Sequence, residues 1–263
     1  MNPPPVVVLT GASKGIGLAV ATLLLTRFAA AVVGISRSRS PAVDRLAAEH
    51  PKTFLHLECD VTDTPALEAA LATAAHTFGH IDALVLNAGV LEPTGPVASA
   101  SPALALDAWK HHFDVNFFSL IPALRAVLPA LRASPHGGRV VFVSSGSATG
   151  NTYGWAPYNA SKAAVNSLCR TLAQEEPGVV CVAVRPGKVD TAMQAQIREL
   201  DGQLNMRPED VHKFITEFTE GKLVDPSDCG YVIAGLALRA PKALSGKFVS
   251  WDSEECREFW EDQ

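Results

Sequence analysis

Short runs of aliphatic and β-branched residues alternate with longer helix-compatible stretches along almost the whole chain. The strand-like runs fall at 6–10, 31–36, 53–57, 83–86, 139–144, 179–185 and 247–249. Helical stretches are expected between them at 16–28, 42–50, 65–78, 104–131, 157–175 and 226–239. Several strand runs are apolar throughout rather than alternating, Val-Val-Val-Leu-Thr at 6–10 among them. A strand with no polar face is buried on both sides, the condition of a parallel sheet held between helical layers. Repeated β-α units with right-handed crossovers then give an α/β fold, a doubly wound Rossmann sheet of about seven strands with helices on both faces. With 48% apolar residues the chain can bury the core that such a sheet requires. No repeat, low-complexity segment or linker divides residues 1–263, so one domain is expected. The main irregular region is 190–224, polar and carrying Gly202, Pro208 and Gly221. It follows the carboxyl end of a strand, where ligands sit in this fold, and is expected to be a mobile lid.

The first loop is chemically specific. Thr10-Gly11-Ala12-Ser13-Lys14-Gly15-Ile16-Gly17 directly follows the first strand run and opens the first helix. Glycines let the backbone turn tightly and approach a pyrophosphate, and the helix N-terminus offers free N–H groups and partial positive charge. The pattern is not a Walker sequence. The second strand run ends Gly34-Ile35-Ser36-Arg37-Ser38, without the acidic residue that would bind a ribose 2′-OH. Arg37, with Lys14 from the turn, can instead meet a 2′-phosphate, which favours NADPH/NADP+ over NAD.

Tyr158-Asn159-Ala160-Ser161-Lys162 places a phenol and an ammonium one helical turn apart on one face. An ammonium close by favours the phenolate and is expected to lower the tyrosine pKa toward the range useful for proton transfer to a carbonyl. The histidines, His111 and His112 included, show no ligand-like spacing and are expected to pack on the surface or in the core. Five cysteines, Cys59, Cys169, Cys181, Cys229 and Cys256, are an odd number without CxxC spacing, which argues for reduced buried thiols and against zinc. A net charge of −5 argues against nucleic acid. No apolar stretch is read as approaching the roughly 18 residues of a spanning helix. The N-terminus lacks signal-peptide features, so a cytoplasmic protein without membrane attachment is expected.

Together these motifs make the chain resemble the short-chain dehydrogenase/reductase family over nearly its whole length. The resemblance rests on residues 10–17, Asn87-Ala88-Gly89, Asn116, Ser144-Ser145, the Tyr158/Lys162 pair, Pro186-Gly187 and Asp190-Thr191. It implies that Tyr158 donates the proton, Lys162 binds the nicotinamide ribose, Ser145 binds the substrate carbonyl and Asn116 supports a water-linked proton relay. It implies that Asp60 and Val61 flank the adenine, and that Asn87, Ala88 and Gly89 hold the cofactor side of the strand end. Pro186, Gly187 and Thr191 would line the nicotinamide, with Val189 contacting its carboxamide. Family members usually carry the serine 13 residues before the tyrosine, which selects Ser145, and strand alternation sends Ser144 to the opposite face. Longer stretches at 113–119, 141–146 and 189–194 are similar to fungal benzil reductases that form (S)-benzoin, which in turn resemble sepiapterin reductases. That similarity implies reduction of aromatic ketones and α-diketones. Ser147, Tyr153, Trp155 and Met193, with Val90 and Leu91, are expected to line the substrate pocket. The residues also admit oxidation of a secondary alcohol or polyol, a 3-oxoacyl-type reduction or, remotely, a non-catalytic NADP(H) sensor. A homodimer or homotetramer through helices 104–131 and 157–175 is the family expectation.

Overall fold

The computed structural model describes residues 3–200 and 205–260. Seven parallel strands form one sheet in the order β3-β2-β1-β4-β5-β6-β7. They are β1 (Val6–Thr10), β2 (Ala31–Ser36), β3 (Phe54–Glu58), β4 (Ala83–Leu86), β5 (Arg139–Val143), β6 (Val180–Arg185) and β7 (Phe248–Ser250). The order reverses between β1 and β4, whose register pairs Leu9 with Val85. At such a switch point the loops leaving neighbouring strands diverge and open a crevice.

One face of the sheet carries α1 (Gly15–Thr26), α2 (Pro41–Glu49) and α9 (Pro226–Arg239), which bury Val20, Leu24, Val43, Ile233 and Leu236 against it. The other carries α3 (Thr64–Phe78), α4 (Leu106–Phe113), α5 (Leu120–Arg132) and α6 (Ala156–Glu175), with Leu67, Leu71, Leu124, Val165 and Cys169 inside. Local chemistry sets these helices. In α3, Asp63 caps the Ala66 amide, Pro65 occupies the first turn, and Gly79 closes the helix in the left-handed region at φ 77°. All five cysteines are buried and unpaired.

Three sequence expectations need correction. The helix read as continuous over 104–131 is interrupted by a π-turn at Asp114–Phe118, which separates α4 from α5. Hydrophobic periodicity does not register the extra residue of such a turn, a feature common at functional sites. The whole stretch Leu106–Arg132, at mean hydropathy 1.3, is also long and apolar enough to cross a membrane by length and composition. Here it packs Leu120, Ala123, Leu124, Val127 and Leu131 into the core. Finally, 190–224 is not irregular. It holds α7 (Ala192–Arg198) and α8 (Pro208–Thr219), although positions 201–204, with Gly202, lie outside the described residues. A Val189–Val224 bridge joins its two ends, with Asp190 N donating to Val224 O at 2.9 Å and Val224 N to Lys188 O at 2.9 Å.

Candidate active site

A cavity of about 920 Å³ lies along the carboxyl ends of the strands, across the β1/β4 switch point. Gly11, Ser13, Lys14, Gly15, Ile16 and Gly17 line one end. Gly11 and Gly15 have φ of 72° and 54°, and a Cβ on Gly17 would lie 2.1 Å from the Gly11 carbonyl oxygen. The turn therefore tolerates no side chain at Gly11, Gly15 or Gly17 without strain or clash. A residue outside the expected site locks this turn to β4. Thr10 Oγ1 accepts from the Asn87 and Ala88 amides at 3.0 and 3.1 Å. Asn87 Nδ2 returns bonds to the Thr10 and Gly11 carbonyls at 2.9 and 3.2 Å. Ser40 Oγ donates to the Ser13 carbonyl at 2.8 Å, tying α2 to the same turn.

Arg37 and Lys14 are exposed at this end and stand in no ion pair among the described residues, whereas Arg39 is held by Asp44 at 2.8 Å. Asp60 and Val61 line the adjoining wall. For Asp60, partial burial favours the protonated form. Hydrogen bonds from the Thr62 amide and hydroxyl, with the charges of Arg37 and His111, outweigh it and hold the carboxyl below its ordinary value. Gly89, Pro186, Gly187, Val189 and Thr191 line the middle. Gly187 has φ 83°, and a Cβ there would press on Trp251 and Val224 at 3.0 Å.

Tyr158 and Lys162 project from α6 onto the cavity with Ser145, which leaves the end of β5. Ser144 Oγ turns inward and donates to Asn166 Oδ1 at 2.7 Å. The Ser145 hydroxyl accepts from the Ser147 amide at 3.1 Å and is hydrogen-bonded to the Tyr158 phenol. Tyr158 is only 8% exposed, and burial pushes its pKa above the ordinary value, with the Ser145 bond partly opposing it. This reverses the expected direction. The Lys162 ammonium donates to the Val143 carbonyl at 2.8 Å and lies 5.7 Å from the centre of the phenol ring. Dehydration of the phenolate therefore prevails. The same dehydration lowers Lys162 to about 8.

Asn116 does not reach the cavity wall. It is 2% exposed and sits in the π-turn behind Gly89. Its Oδ1 accepts from Val90 N at 2.8 Å and its Nδ2 donates to Val90 O at 2.9 Å and to His112 Nε2 at 3.0 Å. The amide thus braces the strand end that carries Gly89. His112, expected only to pack, is fully buried in this polar cluster. A second departure from the histidine reading lies at the opposite end of the sheet, where His80, Asp82 and His136 bring ligand-capable atoms within 4.8 Å of one another. Those atoms fasten the N-terminal segment: Asp82 Oδ2 accepts from Val6 N at 2.7 Å, and His136 Nε2 meets the Pro3 carbonyl at 2.9 Å.

Beyond Tyr158 the cavity has a largely apolar wall, with Gln194, Glu217 and Lys188 also on its lining. Ser147, Trp155 and Met193 line it with Val90 and Leu91, joined by Ile197 and Phe214 from α7 and α8. Trp155 is 5% exposed, with ring centres 5.7 Å from Tyr158 and 5.5 Å from Phe214, and its Nε1–H points at Met206 Sδ at 3.1 Å. Tyr153 is misplaced by the sequence reading: it is 37% exposed, off the cavity, under the Arg207 guanidinium at 4.9 Å. The Val211, Phe214, Ile215, Phe218 spacing after Pro208 was the available signal for α8.

Comparison with known proteins agrees with this geometry. The model of the short chain dehydrogenase family matches residues 5–202. A benzil reductase ((S)-benzoin forming) of Saccharomyces cerevisiae is 35% identical, over 95% of this chain and 96% of its own. The crystal structure of a short chain dehydrogenase/reductase from Saccharomyces cerevisiae superposes with a TM-score of 0.90 at 35% identity, covering 98% of this chain and all of that one. An actinorhodin polyketide ketoreductase solved with NADPH gives 0.79 at 27% identity, over 94% and 95% of the two chains. A glycine turn at a strand-helix junction, a Ser–Tyr–Lys group on a shared cavity and a family match over most of the length lead to one conclusion: the chain is an oxidoreductase of the short chain dehydrogenase family.

Proposed function

We propose that the protein reduces a ketone or α-diketone of the benzil type with NADPH. The observation that carries this reading is the meeting of Ser145 and Tyr158 above Lys162, between a cationic end and an apolar end of one cavity. The cationic end fits a phosphorylated dinucleotide: the glycine turn leaves its amides approachable, and Arg37 and Lys14 suit a 2′-phosphate. The nicotinamide cofactor, when bound, supplies the hydride. The residues of the chain bind, orient and protonate.

A carbonyl oxygen between Ser145 and Tyr158 receives two O–H groups, which stabilise the negative charge that grows on it. Tyr158 then gives up its proton: the phenol O–H bond breaks and the product O–H bond forms. The raised phenol pKa keeps that proton in place at neutral pH until the oxygen becomes basic enough to take it. Lys162 stands beside the resulting phenolate as a counter-charge. Trp155, Phe214 and Ile197 offer apolar surface to an aromatic substrate, from a cluster that α7 and α8 complete. The benzil reductase relative and the ketoreductase solved with NADPH support this choice of substrate and cofactor.

The test is NADPH oxidation with benzil, 1-phenyl-1,2-propanedione, sepiapterin and a 3-oxoacyl thioester, and NADP+ reduction with a polyol. Diketone turnover that falls on the order of 10²–10³ in Tyr158→Phe, with NADPH binding kept, is the expected result. Turnover of the polyol or the thioester alone would refute the proposed substrate class.

A further inference from the structure

We propose that His112 is a positioning residue of the active site, held as the neutral Nδ1–H tautomer, which clamps the β4 end, the π-turn and the catalytic helix together. The inference rests on the reductase reading for its kinetic consequence, but its structural content does not. His112 Nδ1 lies 2.6 Å from the Glu92 carbonyl oxygen, an atom that can only accept. The proton is therefore on Nδ1, and Nε2 is left as an acceptor. Asn116 Nδ2 donates to that lone pair at 3.0 Å, and Ser161 Oγ stands at the same distance from Nε2. Ser161 Oγ also reaches the Tyr158 carbonyl at 3.0 Å, one turn back along α6 and beside Lys162.

Asn116 is fixed in turn. With Oδ1 on Val90 N and Nδ2 on both Val90 O and His112, the amide has one orientation that satisfies every bond. Val90 follows Gly89, where an added Cβ would come 3.3 Å from Asn116 Oδ1 and 3.8 Å from the Lys162 ammonium. One imidazole thus sets the spacing between the floor of the cavity and the helix that carries Tyr158 and Lys162. A proton on Nε2 would aim a donor at the Asn116 amide hydrogens and break the arrangement. The surroundings oppose that proton. Burial disfavours it most. The Glu92 carbonyl favours it, and the charges of Lys162 on α6 and of His111 on the same helix disfavour it. Tyr158 meets the ring edge-on at 6.1 Å, and Glu92 itself is exposed.

The test uses the full chain and three variants. In His112→Gln an amide oxygen can replace Nε2 as acceptor, without titrating. In His112→Asn only the bond to Glu92 can be kept, and His112→Leu keeps neither. With NADPH and 1-phenyl-1,2-propanedione, kcat is expected to stay within about threefold for the glutamine variant and to fall about tenfold or more for the other two, with KM for NADPH little changed. The acid limb of the wild-type pH profile should weaken in the glutamine variant. Nitrogen-15 NMR should show His112 protonated at Nδ1 alone through the ordinary histidine range. An Nε2–H tautomer, or a folded His112→Leu protein with wild-type kcat and pH profile, would overturn the proposal. So would a glutamine variant as impaired as the leucine variant. A wild-type protein that binds NADPH but turns over no carbonyl probe refutes the reductase reading instead, and the tautomer then decides the clamp alone.

Discussion

Lys162 is expected to destabilise the fold that it serves. Its ammonium is 5% exposed, bonded to one carbonyl, and burial lowers its pKa from 10.5 to about 8. That displacement withholds about 3 kcal/mol of folding free energy at neutral pH, where the unfolded chain carries the same charge fully hydrated. Methionine has a stem of similar length and no charge. Lys162→Met removes the penalty and loses the 2.8 Å bond to Val143, worth about 1 kcal/mol. The variant should therefore gain about 2 kcal/mol, or about 4 °C in Tm for a chain of this size. The sign of the pH dependence follows from proton counting. Between about 8 and 10.5 the unfolded lysine keeps a proton that the folded one has released, so wild-type stability rises with pH in that window. The advantage of the methionine variant should shrink there. Scanning calorimetry without cofactor, at pH 7 and pH 10, measures both effects. Turnover of the diketone should drop on the order of 10² or more, as the counter-charge proposed for the Tyr158 phenolate is lost. A methionine variant that melts below wild type at pH 7, or whose advantage is indifferent to pH, would refute the reasoning.

Three further outcomes are expected. Arg37→Asp, at an exposed position free of ion pairs among the described residues, should raise KM for NADPH about 10- to 100-fold and leave NADH nearly unaffected, because a charge-assisted bond is worth about 1.5–3 kcal/mol; steady-state kinetics with both cofactors decides, and equal effects count against the 2′-phosphate assignment. Trp155→Ala removes the ring shared by Tyr158, Phe214 and Met206, and should cost about 3 kcal/mol and expose 190–224 to limited proteolysis; an unchanged cleavage pattern would show that α8 is held by other contacts. Phe118→Glu places a charge on an apolar residue that is 54% exposed at the π-turn, near the face proposed for self-association, and should shift the chain toward monomer in light scattering; an unaltered mass would place the interface elsewhere.

Much of this molecule is legible in local patterns. The strand runs stand out because a parallel strand is apolar on both faces, and helices stand out between them, with α4 and α5 run together as one. The glycine turn is legible because φ above zero at Gly11 and Gly15 excludes most other residues. Tyr158 and Lys162 are legible because i and i+4 share a helix face. The selection of Ser145 over Ser144 came from family spacing together with strand alternation. Helices α7 and α8 are hidden in the sequence despite an apolar i, i+3, i+4, i+7 pattern at Val211–Phe218, because polar residues and a proline outweigh it.

Other features have no local signature. The π-turn at Asn116 adds one residue to an otherwise even helix. Tyr153 and Trp155 are two positions apart with similar chemistry, yet one packs under Arg207 and the other against Phe214. His112 is read as a packing residue until the fold carries Glu92, Asn116 and Ser161 to its two nitrogens. The direction of the Tyr158 pKa shift follows the same logic: a neighbouring lysine is visible in the sequence, whereas the water removed from the phenol is not. By itself the sequence determined the strands, most of the helices, the glycine turn and the shared helix face of Tyr158 and Lys162, because backbone conformation and periodic burial are properties of adjacent residues. The tertiary structure alone decided orientation, hydration and which polar atoms meet, because those depend on groups that are distant in the chain and close only in the folded state.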